Sequence, residues 1–282
     1  MSTRTKIIRH NYTSLAEVAH YIQTTEPQEG ARSSSTKADT DWTGGMTLED
    51  ALGVCTIAGG YWAEGAKAIH DIAIAKTENR TPSQANTRRA KRAYAGSRPH
   101  IPAAIANAPK SMLRPTRQAK FKPTLKLAVV ITGSSCCKQR DFYNRGAAIM
   151  SAIKKIEAQG TKVALDGIMY SESQRYGSKR FWINTMPIKQ AGDKLAPADL
   201  SYILTHASVT RRLYMAMVER DPEFWKESTG GYGLASDPKE GHLPDYDLVL
   251  PIPNHVDYTT PESADRKIGA IFENHFKQDS AA

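Results

Sequence analysis

The chain has 282 residues, enough for one large core or two modest ones, and no apolar run reaches the roughly 18 residues that a membrane span needs. Its net charge of +9 is unevenly placed: the 62 residues from Asn79 to Arg140 hold 14 Lys and Arg and no Asp or Glu. The other 24 basic residues face all 29 acids, so the positive charge is a local feature of one segment.

The N-terminal stretch "MSTRTKIIRHNY" is basic and lacks an apolar h-region, so no secretory signal is expected. In "SLAEVAHYIQT", Ser14 with Glu17 three residues on forms a capping-box pattern, and Leu15, Val18, Ala19 and Ile22 fall on one helical face. The polar, Ser-rich stretch from Glu26 to Asp41 reads as a mobile loop. "MTLEDALGV" repeats the helix start with Thr47 as cap and Asp50 at its third position. A helix is predicted over "WAEGAKAIHDIAIAK", with Ala66, Ile69, Ile72 and Ala73 on a broad apolar face.

The acid-free segment follows. "RTPSQANTRRAKRAYAG" reads as a short basic helix, formed alone or on binding. Like-charge blocks repel themselves, so the segment is either a solvated linker or a strip for a polyanion. Tyr94 and Phe121 lie within it, and Ile101, Ile105, Met112 and Leu113 are available to anchor it to a folded surface. A plain linker would need none of these, which favours the strip.

"LKLAVVIT" is a continuous apolar run, as expected for a strand buried on both faces. "RDFYNRGAAIMSAIKKIEAQG" is a long amphipathic helix stopped at Gly160, and "KVALDGIMYS" is a second strand. Together they predict a βαβ unit with parallel strands and a right-handed crossover. "KRFWINTMPIK" reads as a further strand with period-2 alternation, and "APADLSYILTHASVTRRLYMAMVER" as two helices or one bent one. "YDLVLPIP" is a short late strand, and "TPESADRKIGAIFENHF" closes the pattern as a helix capped by Thr260 with Pro261 at its first position. The fold class is α/β, with α+β as the variant: a βαβ-containing core sheet with flanking helices. The predicted organisation is a helical N-terminal region packed on the core (1–78), a basic Pro-rich binding segment (79–124) and an α/β core (125–282).

Motifs for chemistry are sparse. The turn after the first core strand, "ITGSSCCKQRD", has neither a phosphate-binding Gly-Lys-Ser/Thr loop nor a Gly-x-Gly-x-x-Gly fingerprint. The order strand, small polar turn, long helix, strand resembles a von Willebrand A-type half-domain, which binds a metal through Asp-x-Ser-x-Ser. The matching positions here are Thr132, Ser134 and Cys136, so the hard charged ligand is missing and no intact metal motif remains. The adjacent Cys136 and Cys137 lack the two-residue spacer of a redox motif, would pair only with strain, and read as buried small residues at the strand end. With Cys55 they make an odd count, which points to a reducing compartment. No histidine has metal-ligand spacing and no Ser, His, Asp set can be picked out, so an enzyme is not expected and no cofactor is implied.

The segments "DWTGGMTLEDALGVCTIAGGYWAEGAKAI", "RPHIPAAIANAPKSMLRP" and "NRGAAIMSAIKKIEAQGTKVAL", between Asp41 and Leu165, resemble a family of bacteriophage proteins, with weaker similarity to about Glu219. That family looks related to the early single-stranded-DNA-binding cofactors of RNA polymerase in lytic podophages. The resemblance implies a non-enzymatic binder of single-stranded DNA in the host cytoplasm, partnered by a phage RNA polymerase. It carries no residue roles, so the candidate site rests on charge and aromatics. Within the strip these are Arg88, Arg89, Lys91, Arg92, Tyr94, Arg98, Lys110, Arg114, Arg117, Lys120, Phe121 and Lys122. "SQRYGSKRFW" adds Arg175, Tyr176, Lys179 and Arg180, with Phe181 and Trp182 beside them. Cations neutralise phosphates, and aromatic rings between them stack on unpaired bases. The alternatives are a protein–protein adaptor on a degenerate von Willebrand A-like domain, or an RNA-binding or packaging protein. No membrane partner is expected, and a homo-oligomer is compatible with the sequence.

Overall fold

The computed structural model describes residues 5–57, 60–77, 90–96, 98–115, 124–175, 178–227 and 235–279. The chain forms two compact units: Met1–Ala75 with Pro123–Ala282, and Lys76–Lys122. In chain order, β1 (Thr5–Asn11), α1 (Leu15–Thr24), the single turn α2 (Ser34–Lys37), α3 (Leu48–Ile57) and α4 (Ala63–Thr77) come first. β2 (Ala90–Ala93), β3 (Arg98–Pro99), α5 (Ile101–Ile105) and β4 (Met112–Pro115) belong to the small unit. There follow β5 (Thr124–Val130), α6 (Gln139–Ala158), β6 (Lys162–Arg175), β7 (Ser178–Lys189) and α7 (Pro197–Thr205). A π-helix (Val209–Tyr214) runs into α8 (Met215–Arg220), and α9 (Pro222–Glu227), β8 (Leu248–Leu250), α10 (His255–Tyr258) and α11 (Pro261–Asp279) complete the large unit.

The large unit is α/β. Its sheet has the order β1-β7-β6-β5-β8, with β5 parallel to both β6 and β8, β1 parallel to β7, and only β6 and β7 antiparallel. β5, α6 and β6 form the predicted βαβ unit. Leu127, Ala128, Val129 and Val130 are fully buried, because β5 is central and covered on both faces. Leu127 and Val129 join the main core with Ile149, Ile153 and the buried residues of the other helices. Ala128 and Val130 join a second cluster with Ile168, Tyr170, Phe181, Ile183 and Leu243. The alternation of β7 therefore separates two buried faces rather than a wet and a dry one: Phe181 and Ile183 go to one cluster, Trp182 and Met186 to the other.

The caps follow the sequence. Ser14 Oγ accepts from Glu17 N, Thr47 Oγ1 from Asp50 N, and Thr260 Oγ1 from Ser263 N. Leu15, Val18, Ala19 and Ile22 are all buried. Gly160 ends α6 with φ +91°, a conformation open to glycine.

Several expectations are corrected. No strand is expected at 5–11, yet β1 pairs with β7 at the sheet edge; its burial pattern has one buried residue, Ile8, so it lacks the apolar run that marks a strand. The stretch 26–41 is not a free loop. Ser35 is buried, and its main-chain N–H donates to Glu219 Oε1 at 2.9 Å. Arg212 donates to the carbonyls of Met46, Ser35 and Ala38 at 2.9–3.0 Å, and Arg220 Nε to those of Ile22 and Thr25 at 2.8 Å. Arg212 thus holds a polar, Ser-rich segment through its main chain, and Arg220 holds the end of α1 just before it, neither of which hydrophobic periodicity registers. Cys137 is buried as expected but Cys136 is exposed.

In the small unit the basic helix expected over 80–96 is instead strand β2 from Ala90, and residues 80–89 lie outside the described residues. The sheet order is β2-β4-β3, antiparallel throughout. A Cβ on Gly96 would stand 2.2 Å from the Leu113 carbonyl oxygen, so the link from β2 to β3 passes β4 only because this residue is glycine. The anchoring role expected for Ile101 and Ile105 fails: they are 64% and 80% exposed.

Candidate nucleic-acid interface and an arginine-lined pocket

Between Ala90 and Pro115 the small unit contains no acid. β2 carries Lys91 and Arg92, β3 begins with Arg98, and Arg114 lies on β4 between them. Lys91 pairs in register with Arg114. Arg92 and Arg98 both pair with Leu113, one on each side, so their backbones stand about two strand spacings apart, roughly 10 Å. Arg92, Arg98 and Arg114 are exposed. Arg92 Nε donates to the Lys110 carbonyl at 3.0 Å, and Lys110 Nζ stands 5.6 Å from the centre of the Tyr94 ring. Tyr94 is 73% exposed, so its ring is accessible for stacking.

The second expected cluster lies in the large unit. Arg175 ends β6, while Lys179 and Arg180 begin β7 and pair with Thr5 and Lys6 of β1. Phe181 and Trp182 are each 2% exposed and belong to the core, so neither offers a stacking face. Trp182 packs edge-on against Phe224 at 4.2 Å. Arg88, Arg89, Arg117, Lys120, Phe121, Lys122 and Tyr176 lie outside the described residues.

A separate pocket of about 320 Å³ opens in the large unit at the carboxyl end of β5, where open α/β sheets usually hold ligands. The turn Thr132–Ser135, Tyr170 and Ser171 of β6, Trp42, and the π-helix with Met215 line it. Arg211 of that π-helix is 2% exposed. Its Nη2 donates to the carbonyls of Cys137, Ser135 and Ser134 at 2.6, 3.2 and 3.3 Å, and Nη1 donates to that of Trp42. The guanidinium also lies 4.5 Å over the Trp42 ring, and Trp42 Nε1 donates to the Ser135 carbonyl at 3.1 Å. The turn therefore directs its carbonyls at a guanidinium. Of the positions that match the metal motif, Thr132 donates its hydroxyl to the Tyr170 carbonyl, and Ser134 Oγ sits 3.1 Å from Cys136 Sγ. Among the described residues no group of three His, Cys, Asp or Glu is placed to hold a metal ion.

The family model for a domain of unknown function, DUF7192, matches residues 2–278. The chain belongs to the DUF7192 family. No curated protein and no solved structure matches it. The description of DUF7192 names no activity, so the functional reading rests on the two sites above.

Sequence reasoning reached the basic strip in this DUF7192 chain but not the pocket. Arg211 and Arg212 fall in the stretch expected to be two helices or one bent one, with no role assigned to either; the structure puts them on a π-helix, from which they reach two different segments. The run of small polar residues in "ITGSS" was the available signal for the turn. Burial lowers the Arg211 pKa and raises the Cys137 thiol to about 12, while the hydrogen bond from Ser134 lowers that of the exposed Cys136.

Proposed function

We propose that this protein binds single-stranded nucleic acid, DNA in the first instance, through its small basic unit, without catalysis. One observation carries the reading. An acid-free three-stranded sheet exposes Arg92 and Arg98 on one face, flanking Leu113, and Arg114 on the other, and it carries a 73%-exposed Tyr94 with Lys110 5.6 Å from its ring centre. The exposed ring suits an unpaired base, and the cations suit its phosphates. The part in phage transcription that the family resemblance implies needs a polymerase partner as well. The exposed Ile101 and Ile105 of α5 support a protein contact on the same unit.

Binding of labelled single strands, duplex and RNA at several salt concentrations tests this. Single-stranded DNA should bind most tightly, with log K falling by about 0.7 per phosphate contact for each tenfold rise in salt. Replacing Arg92, Arg98 and Arg114 together by alanine should flatten that slope by about 2. Tyr94→Ala should cost about 1–3 kcal/mol at every salt concentration, because stacking releases no counterions. A flat salt slope, or a triple variant that binds like the parent, would overturn the reading. RNA ranking first would move the substrate to RNA.

A further inference from the structure

We propose that the pocket at the carboxyl end of β5 binds a phosphomonoester of about mononucleotide size, with Arg211 as its cation. This site is separate from the basic sheet and asks for a different ligand, a small molecule rather than a strand.

The first ground is charge. Arg211 is 2% exposed, and among the described residues no carboxylate pairs with it. Buried cations are ordinarily neutralised by an acid, whereas carbonyls supply dipoles only. The buried Asp141 is near enough to favour the charged form of Arg211 through space, but its close contacts are with Lys138 N at 2.7 Å, His255 Nδ1 at 2.8 Å and Arg140 Nε at 3.6 Å. Of the five N–H groups of Arg211, Nε and one on Nη1 have no acceptor among the described residues. A guanidinium so held is a fixed, preorganised charge suited to phosphate.

The second ground is shape. A cavity of about 320 Å³ is at the lower end of the range for small-molecule sites, which excludes a long strand and admits a single nucleotide. Its walls combine the half-buried Trp42 with the hydroxyl residues Ser134 and Ser135, so a flat ring and a polar sugar both find matching surface. The third ground is backbone: Thr210, Arg211 and Tyr214 all come from the π-helix, an irregularity frequent at functional sites.

Calorimetric titration of the full chain with the nucleoside monophosphates, with adenosine and with inorganic phosphate tests the proposal. At least one monophosphate should bind with Kd below about 1 mM, and adenosine at least about tenfold more weakly. Met215→Trp, which fills the pocket from its half-buried wall, should weaken the monophosphate at least about tenfold. Ser135→Glu, a carboxylate at the exposed rim, should do the same and spare adenosine; it keeps the test valid if the tryptophan variant fails to fold. The variant lacking Arg92, Arg98 and Arg114 should bind the monophosphate as the parent does, which separates this site from the basic sheet. The proposal is overturned if no monophosphate binds at about 1 mM, or if Ser135→Glu leaves affinity unchanged. It is equally overturned if the triple variant abolishes binding.

Discussion

The two units use the same residue for opposite purposes. In the large unit Arg145, Arg211, Arg212 and Arg220 are each no more than 9% exposed, and their hydrogen bonds run to main-chain carbonyls. In the small unit Arg92, Arg98 and Arg114 face solvent on a sheet with no acid nearby in sequence. The lesson is that a count of cations says little about binding. A guanidinium whose fork is filled by carbonyls is a brace, and one left open to water is available for a ligand. Arg211 lies between the two cases, because it is both bound by the turn and exposed to a cavity.

The contrast can be broken by measurement, and the largest effect on stability should come from the braces. Arg212→Ala leaves the carbonyls of Ser35 and Ala38 without their donor, while that of Met46 keeps the Thr43 hydroxyl at 2.8 Å, and each unmatched acceptor costs about 1–3 kcal/mol. Urea unfolding should show a loss of about 3 kcal/mol or more, and Arg212→Lys should recover little of it, since an ammonium has no planar fork. A loss under about 1 kcal/mol would mean that the segment 34–46 holds itself in place.

Next in size is an acid effect in the same unit. His206 is 2% exposed, in edge contact with the Trp62 ring at 4.2 Å, and burial lowers its pKa from 6.5 to about 4. Its Nδ1 accepts from Ser208 N at 3.0 Å, which places the proton on Nε2. The unfolded chain takes up a proton near pH 6.5 and the folded one only near pH 4. Stability is therefore fully present above pH 6.5 and falls as pH drops through that window, by about 3 kcal/mol. His206→Gln should flatten the slope; parallel pH curves for variant and parent would refute this.

A smaller effect of opposite sign comes from His10, half-buried, with Nε2 3.2 Å from Asp221 Oδ2. The hydrogen bond to Asp221 raises the His10 pKa above 6.5, and despite the opposing effect of burial the Asp221 pKa lies below 3.8, held there chiefly by the hydrogen bond from His10. The raised histidine contributes stability that is complete below pH 6.5 and is lost as pH rises through its folded pKa; the lowered aspartate loses its share below pH 3.8. The exposure of His10 keeps the effect under about 1 kcal/mol. His10→Gln should remove the decline on the alkaline side of pH 6.5, and an unchanged profile would count against the pair.

The smallest effect on stability belongs to the exposed cations. Arg98→Ala and Arg114→Ala should each change the hydrogen-exchange protection of residues 90–115 by no more than about 0.5 kcal/mol. If Arg114→Ala melts the small sheet as Arg212→Ala melts the large unit, the contrast fails and the strip is a structural brace.

Elements whose signal is local are readable without the fold. The apolar run of β5, the one-sided pattern of α6 and the caps at Ser14, Thr47 and Thr260 are written in consecutive residues, and the structure has them there. The acid-free composition of the strip was legible for the same reason. What depends on distant partners emerges only in the folded chain. β1 is a strand because β7 offers it an edge, and residues 34–46 are ordered because Arg212 reaches their carbonyls from about 170 positions away. Tyr94 stays outside while Phe181 and Trp182, equally aromatic and equally close to cations in sequence, go into the core. Periodicity reports which face of an element is apolar; it cannot report which main-chain oxygen a long charged side chain will reach. That reach separates a bracing arginine from a binding one.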